Sequence, residues 1–265
     1  MQASEGMLAA SSCSKDLAVT ATSADDTLIH SGMDVSVVIP AYNEARRLPA
    51  TLAGWHAYLG LEPFSSEVIV VDDGSRDATA EVAATGGARV VALRPNRGKG
   101  GAVKAGVLAA AGAAIAYVDA DLNIAPEHLE AALTLIDEGA DLVAGQRELS
   151  EYASAEGPLR LAAGGVVQVT RRVLVMSAIR DTQCGFKVLR HALARDVFSR
   201  TRINSFAFDI EVLFVARKLG ARIETLPVRT TYRGESTFNV RKHLPQFLKD
   251  IVQIRRNDMA GLYRR

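Results

Sequence analysis

Short apolar runs, each ending in a polar cluster and each followed by a helix-length segment, constrain this chain more than any other feature. Val35-Ser36-Val37-Val38-Ile39 is nearly all apolar and stops at Pro40. Val68-Ile69-Val70-Val71 ends in Asp72-Asp73-Gly74-Ser75. Residues 89–93, 115–118 and 141–144 repeat the pattern, the second of them ending at Asp119. Runs this short and this uniformly apolar read as strands buried on both faces. Segments 44–59, 77–85 and 127–138, and one after the turn at 96–101, read as helices. Pro126 falls near the first turn of the 127–138 segment. Alternation of this kind implies parallel β-α-β units, and so an α/β, Rossmann-like, mainly parallel sheet flanked by helices.

In such a sheet, ligands bind outside the carboxyl ends of the strands. The polar clusters all follow strands: Tyr42 to Glu44, Asp72-Asp73, Asp119 and Asp121, and Gln146-Arg147. They are therefore expected on one rim. The second half is less regular. Residues 159–179 read as a helix, 181–186 as a loop, 191–199 and 209–219 as helices and 222–226 as a strand. In the tail, Val240, Leu244, Phe247, Leu248, Ile251 and Ile254 recur at spacings of three or four, with Arg241, Lys242, Lys249, Arg255 and Arg256 opposite. That amphipathic helix either packs on the domain or lies on a membrane surface. Residues 1–32 are rich in Ala, Ser and Thr and read as a disordered tail. The expected division is a tail at 1–32, a catalytic domain at 33–238 and the amphipathic helix at 239–265.

Bulk properties exclude some classes. The net charge is +1, so no global field argues for nucleic acid. Cys13 and Cys184 lie far apart in unlike contexts, which argues against a disulfide framework and for a reducing cytoplasm. No stretch reads as a membrane-spanning helix or a secretory leader. No His lies near Cys184 in sequence, which disfavours a nucleophilic cysteine.

Two carboxylates one residue apart at a strand end, Asp119-Ala120-Asp121, suit a hard cation such as Mg²⁺ or Mn²⁺, and Asn123 offers a third oxygen. The same triplet also fits a plain turn or cap. Asp72 and Asp73 can accept from a base N–H or a ribose hydroxyl; a turn with an N-cap at Ser75 or Asp77 is the competing reading. Asn96-Arg97-Gly98-Lys99-Gly100-Gly101 has the look of a phosphate cradle, with Gly permitting close approach and Lys99 adding charge. It matches neither the Walker A nor the dinucleotide spacing.

Taken in order, Val37-Val38-Ile39-Pro40-Ala41-Tyr42-Asn43-Glu44, Val70-Val71-Asp72-Asp73-Gly74-Ser75, Asn96-Arg97-Gly98-Lys99-Gly100 and Asp119-Ala120-Asp121 resemble family 2 glycosyltransferases of the GT-A fold. Asp181-Thr182-Gln183-Cys184-Gly185-Phe186-Lys187 and Phe206-Ala207-Phe208-Asp209-Ile210-Glu211 resemble the dolichyl- or polyprenyl-phosphate glucosyl- and mannosyltransferase branch. The resemblance implies that Pro40, Ala41, Tyr42 and Glu44 line the base and ribose, that Asp72, beside Asp73, contacts uracil, and that Lys99 lies beside the nucleotide. It implies metal coordination by Asp119 and Asp121, with Asn123 where relatives carry Gln, and an acceptor phosphate gripped by Arg147 and Arg160. Close relatives usually carry Lys at the position of Thr237, so Arg233 or Arg241 would have to compensate.

The function implied is inverting transfer of a hexose, with UDP-glucose the leading donor, to a polyprenyl phosphate by a cytoplasmic enzyme peripheral at a membrane. Such an acceptor is already an anion and needs no strong base; an alcohol acceptor would, and Asp181 is then the candidate. Asp209 could be a helix N-cap and Glu211 a structural partner. The alternatives are a soluble natural-product acceptor, a nucleotidyltransferase and a non-catalytic sugar-nucleotide sensor.

Overall fold

The structure, a computed structural model, describes residues 33–147, 179–230 and 240–264. Its centre is one seven-stranded sheet in the order β3-β2-β1-β4-β6-β5-β7. The strands are β1 (Val35–Ala41), β2 (Ser66–Asp72), β3 (Arg89–Ala92), β4 (Ala114–Val118), β5 (Leu142–Arg147), β6 (Phe186–Arg190) and β7 (Ile223–Val228). Helices α1 (Leu48–Leu59), α2 (Thr79–Thr85), α3 (Lys99–Ala109), α4 (His128–Asp137), α5 (His191–Arg200), α6 (Phe208–Lys218) and α7 (Val240–Met259) cover both faces.

The period-2 geometry of a strand sorts its side chains between the two faces. In β1, Val35, Val37 and Ile39 join the cluster that includes Leu48, Leu52 and Trp55 of α1. Val38 points the other way, toward Val103 and Val107 of α3. In β2, Val68 and Val70 take the first side, Ile69 and Val71 the second. Both sides are buried, so the runs carry no polar stripe, and this is why they read as strands of a covered parallel sheet.

Six strands run in one direction. β6 alone is reversed, antiparallel to both β4 and β5. The sequence reading ended a loop at residue 186 and saw no strand there. A lysine at the second of five residues hides the pattern, yet Lys187 has no exposed surface. The reversal has a geometric consequence. Val118 at the end of β4 pairs with Phe186 at the start of β6, so the segment before β6 reaches the edge where β1, β2, β4 and β5 end.

Helix α1 starts at Leu48, four residues after the expected start, because residues 42–47 form a rim loop. Pro49 fits in the first turn, where a missing N–H costs no intrahelical bond. Of the two outcomes open to the amphipathic tail, the inner face of α7 shows packing. Phe247, Ile251 and Ile254 are buried in the same core as Leu213 and Phe214 of α6. Ser205 Oγ donates to Asp250 at 2.5 Å. Tyr263, just beyond α7, donates its hydroxyl to Glu211, which also accepts from the N–H groups of Arg202 and Ile203 at 2.9 and 2.7 Å. Glu211 is thus a structural partner.

Ile251 is 1% exposed. Ile251→Ala is expected to lower the free energy of unfolding by about 3 kcal/mol, as for a core isoleucine. Urea titration checks this; a loss under about 1 kcal/mol would mean that α7 is not part of the core.

Candidate active site

The first wall of the rim joins the loops after β1 and β2. Asn43 adopts φ 55°, a conformation asparagine tolerates better than most residues. Its Oδ1 accepts from Arg76 N at 2.9 Å, and its N–H donates to Ser75 Oγ at 2.9 Å. Glu44 N donates to Thr79 Oγ1 at 2.9 Å. Asp77 accepts from Thr79 N at 3.1 Å, but Ala78 holds the N-cap position of α2 with no side-chain cap, so the N-cap expected at Ser75 or Asp77 does not form. Tyr42 stands exposed at the edge, with Ala41 buried behind it and Pro40 between the two classes.

Asp72 and Asp73 are both buried, and they do different things. Asp72 accepts from Ser75 N at 2.9 Å and from Arg94 Nη1 at 3.1 Å. Asp73 spends its carboxylate on the next segment, accepting from Arg97 N at 2.7 Å and Gly98 N at 2.8 Å. It therefore fixes the glycine turn. Gly98 has φ 82°, and a Cβ there would meet the Asn204 carbonyl oxygen at 2.6 Å. Gly100 N is also engaged, by Asn204 O at 2.9 Å. The N–H groups of residues 97, 98 and 100 are thus occupied, so the turn's positive charge is carried by side chains, the exposed Arg97 guanidinium and the Lys99 ammonium. Lys99 Nζ lies 2.6 Å from Asp119 Oδ1. Burial pulls the Lys99 pKa down, but Asp119, then Asp209, outweigh it and leave it raised.

Asp119-Ala120-Asp121 follows β4 directly, at the middle of the rim. Thr51 of α1 donates its hydroxyl to Ala120 O at 2.7 Å. Leu122 holds φ 52°, a costly conformation for leucine, of the kind that persists where surroundings over-determine the backbone. Gly185 lies against Asp119 from the β6 side: a Cβ there would come 1.9 Å from Asp119 Oδ2. Asp121 accepts from Asn123 N at 3.1 Å and from Asn123 Nδ2 at 2.5 Å. Asn123 Oδ1 is left buried with no hydrogen-bond partner, an exception that calls for an explanation. Burial, then the Asp119 charge, raises the Asp121 pKa. Glu44 is raised by burial and by Asp121, Asp77 and Asp119, against Arg47. Two carboxylates and an orphaned amide oxygen are a hard oxygen set, and they fit Mg²⁺ or Mn²⁺. Among the described residues no group of three or more His, Cys, Asp and Glu side chains forms a metal cluster.

At the far end, Arg147 and Asp181 meet as a fork. Arg147 Nε lies 2.7 Å from Asp181 Oδ2 and Nη2 lies 3.1 Å from Oδ1. The reversal of β6 brings them together. Cys184 is wholly buried and its thiol pKa is pushed up to about 12 by burial, which leaves it inert. Arg160 and Arg233 lie outside the described residues, as do Thr237 and residues 159–178 of the helix expected over 159–179. One pair had no place in the sequence reading. Lys187 Nζ, fully buried, lies 2.7 Å from Asp209 Oδ1, which also accepts from Tyr117 Oη at 2.9 Å. A lysine in an apolar run was the available signal.

A rim with acidic groups at its centre and basic groups on both flanks suits an anionic substrate bridged by a cation, as in enzymes that move groups from nucleotide carriers. The chain belongs to glycosyl transferase family 2, whose model matches residues 36–198. It is a glycosyltransferase, and the nucleotidyltransferase alternative is set aside. Dolichyl-phosphate beta-glucosyltransferases of Dictyostelium discoideum and Mus musculus are 33% and 35% identical to it. These matches cover 87% of this chain in each case and 76% and 77% of the relatives. Among solved structures, glucosyl-3-phosphoglycerate synthase of Mycobacterium tuberculosis, in complex with Mn²⁺, UDP and glucosyl-3-phosphoglycerate, matches with a TM-score of 0.64 and 21% identity, over 84% of this chain and 78% of that one. Mannosyl-3-phosphoglycerate synthase of Rubrobacter xylanophilus matches with a TM-score of 0.68 and 22% identity, over 88% and 77%. The fold is GT-A.

The raised Asp121 carboxyl must lose its proton to take a cation. Mn²⁺ affinity is therefore expected to fall as the pH is lowered from neutral into the range where this raised carboxyl takes up its proton, read by calorimetric titration. The sign in metal-free protein is the reverse. Asp121 and Glu44 bind protons more tightly folded than unfolded, so their contribution to stability falls as pH rises through their folded pKa values. Mn²⁺ should then raise the melting temperature most near neutral pH. Gly185→Ala, which displaces Asp119, is expected to weaken Mn²⁺ binding by about tenfold or more, as loss of a group that orients a ligand does.

Proposed function

We propose that this chain transfers glucose from UDP-glucose to a polyprenyl phosphate of the dolichyl type, inverting the anomeric centre. The observation that carries this reading is the rim itself: four separated segments are knit by side-chain hydrogen bonds around Asp119, Asp121 and the orphaned Asn123 oxygen. The names of the most similar relatives support the acceptor. The neighbour in complex with UDP and Mn²⁺ supports the donor and the cation.

In this reading residues 33–238 form the catalytic domain, and Asp119, Asp121 and Asn123 hold Mg²⁺ or Mn²⁺. When bound, the cation offsets charge on the departing diphosphate. Pro40, Ala41, Tyr42, Glu44 and Asp72 line the nucleoside, Asp73 sets the turn that carries Lys99, and Lys99 lies beside the nucleotide pocket. The acceptor oxygen attacks C1 from the face opposite the diphosphate as the C1–O bond to it breaks. A lipid phosphate is an anion near neutral pH, so no strong base is required. Arg147 and Arg160 hold it in line, and Arg233 helps neutralise the donor. Asp181 engages both of its oxygens with Arg147, which supports a role in orienting that guanidinium rather than in removing a proton.

No helix among the described residues is long and apolar enough to cross a membrane. The outer face of α7 supports peripheral contact of a cytoplasmic enzyme. Leu248, Val252 and Met259 are exposed there beside exposed Lys249 and Arg256. The carboxylates of α7 are engaged elsewhere, Asp250 by Ser205 and Asp258 by Lys218. Apolar groups flanked by cations suit anionic headgroups. A soluble phosphorylated acceptor is the second reading, favoured by the fold shared with an enzyme solved with glucosyl-3-phosphoglycerate.

Turnover of UDP-glucose with a short-chain polyprenyl phosphate in detergent tests the first reading, and 3-phosphoglycerate or a small alcohol tests the second. Turnover with the lipid phosphate alone is expected; turnover with only the soluble acceptors would reject it. Asp121→Ala is expected to lower kcat by about a thousandfold, the scale of losing a transition-state electrostatic partner.

A further inference from the structure

Charges alternate inward from the centre of the rim. Asp119 has a side-chain exposure of 40%, Lys99 23%, Asp209 3% and Lys187 0%. The outer pair is Lys99 with Asp119 at 2.6 Å, and the inner pair is Lys187 with Asp209 at 2.7 Å. The inner pair is lopsided. Lys187 Nζ and Tyr117 Oη both donate to Asp209 Oδ1. Among the described residues, Asp209 Oδ2 accepts no hydrogen bond. Lys187 is spoken for on its other side by Cys184 O at 2.8 Å.

Lys99 stands between the two layers. Its Nζ lies 5.9 Å from the centroid of the Phe208 ring, the residue before Asp209 at the start of α6. The close packing of the two helix starts keeps it there: a Cβ on Gly100 would meet Phe208 Cβ at 2.5 Å. After Asp119, Asp209 is the anion that acts most strongly on Lys99. A divalent cation bound to Asp119 and an ammonium 2.6 Å from the same carboxylate repel each other, so the two compete for it.

We infer that Lys99 is a positioning counter-ion with two seats, holding Asp119 before the divalent cation arrives and passing to Asp209 Oδ2 when the cation takes Asp119. The inference rests on the metal reading given above. In the first seat Lys99 keeps two neighbouring carboxylates from repelling each other in the empty rim. In the second it no longer competes for the cation. Asp209 thereby tunes metal affinity without touching the metal.

The test is a titration of the full chain with Mn²⁺ alone, without nucleotide, followed by calorimetry or by the electron paramagnetic resonance signal of free Mn²⁺. Lys99→Met removes the competitor and is expected to tighten Mn²⁺ binding about fivefold, the scale of a partly exposed ion pair. Asp209→Asn removes the second seat and is expected to weaken binding by a similar factor. The double variant should bind like Lys99→Met, because the effect of Asp209 runs through Lys99. A purely structural role would weaken binding in both single variants. Weaker or unchanged binding in Lys99→Met overturns the inference, as does a double variant in which the two effects simply add. If Asp209→Asn does not fold, as judged by its thermal melt, the sign of the Lys99→Met effect decides alone. Failure of the metal reading looks different: the unaltered protein would bind no Mn²⁺, or Asp121→Asn would bind it equally well.

Discussion

Lys187 lies on β6 with no exposed surface, and an ammonium in that position is tolerable only because Asp209 is 2.7 Å away and the Cys184 carbonyl accepts a second bond at 2.8 Å. That pairing locks the one reversed strand of the sheet between β4 and β5. The rim depends on it in two places. Reversal carries Gly185 against Asp119, where anything larger would collide with the carboxylate. It also carries Asp181 to Arg147, so that the guanidinium at the end of β5 meets a fixed fork. A parallel strand in the same slot would send residues 181–185 to the opposite edge.

The rest of the rim is organised by side chains bonding to the backbone of other segments. Asp73 reaches across to Arg97 and Gly98, Ser75 to Asn43, Thr79 to Glu44, and Thr51 to Ala120. Each bond ties a loop after one strand to a neighbour, and together they hold an acidic centre whose members repel. Burial first, and then that repulsion, raise the Asp121 and Glu44 carboxyls. An enzyme handling a sugar diphosphate has to bring further negative charge to this spot. In the function proposed above, a divalent cation would resolve the conflict.

Much of this was legible in the sequence, for a physical reason. A strand covered on both faces has to be apolar throughout, so β1, β2 and β4 announced themselves, and the groups after them fell on one edge. The two-carboxylate triplet and the glycine turn followed in an order specific to the family. The sequence pattern did not reveal β6, since its second residue, Lys187, is neutralised by a residue 22 positions later, a pairing no local periodicity carries. Nor did it separate Asp72 from Asp73. Adjacent residues on a strand end face opposite ways, and only the fold shows that Asp73 is committed to the N–H groups of Arg97 and Gly98. The glycine turn has the composition of a phosphate cradle, but its N–H groups at 97, 98 and 100 are bonded within the protein. Its contribution is the side-chain charge of Arg97 and Lys99.

The central claim is that Asp119, Asp121 and Asn123 together seat a divalent cation beside the nucleotide diphosphate. Anomalous scattering from a crystal grown with Mn²⁺ and UDP tests it most directly. The account predicts one peak within direct coordination distance of carboxylate oxygens of Asp119 and Asp121, with Asn123 Oδ1 and the diphosphate beside it. Ordered UDP with no peak there, or a peak held by other side chains, would contradict it.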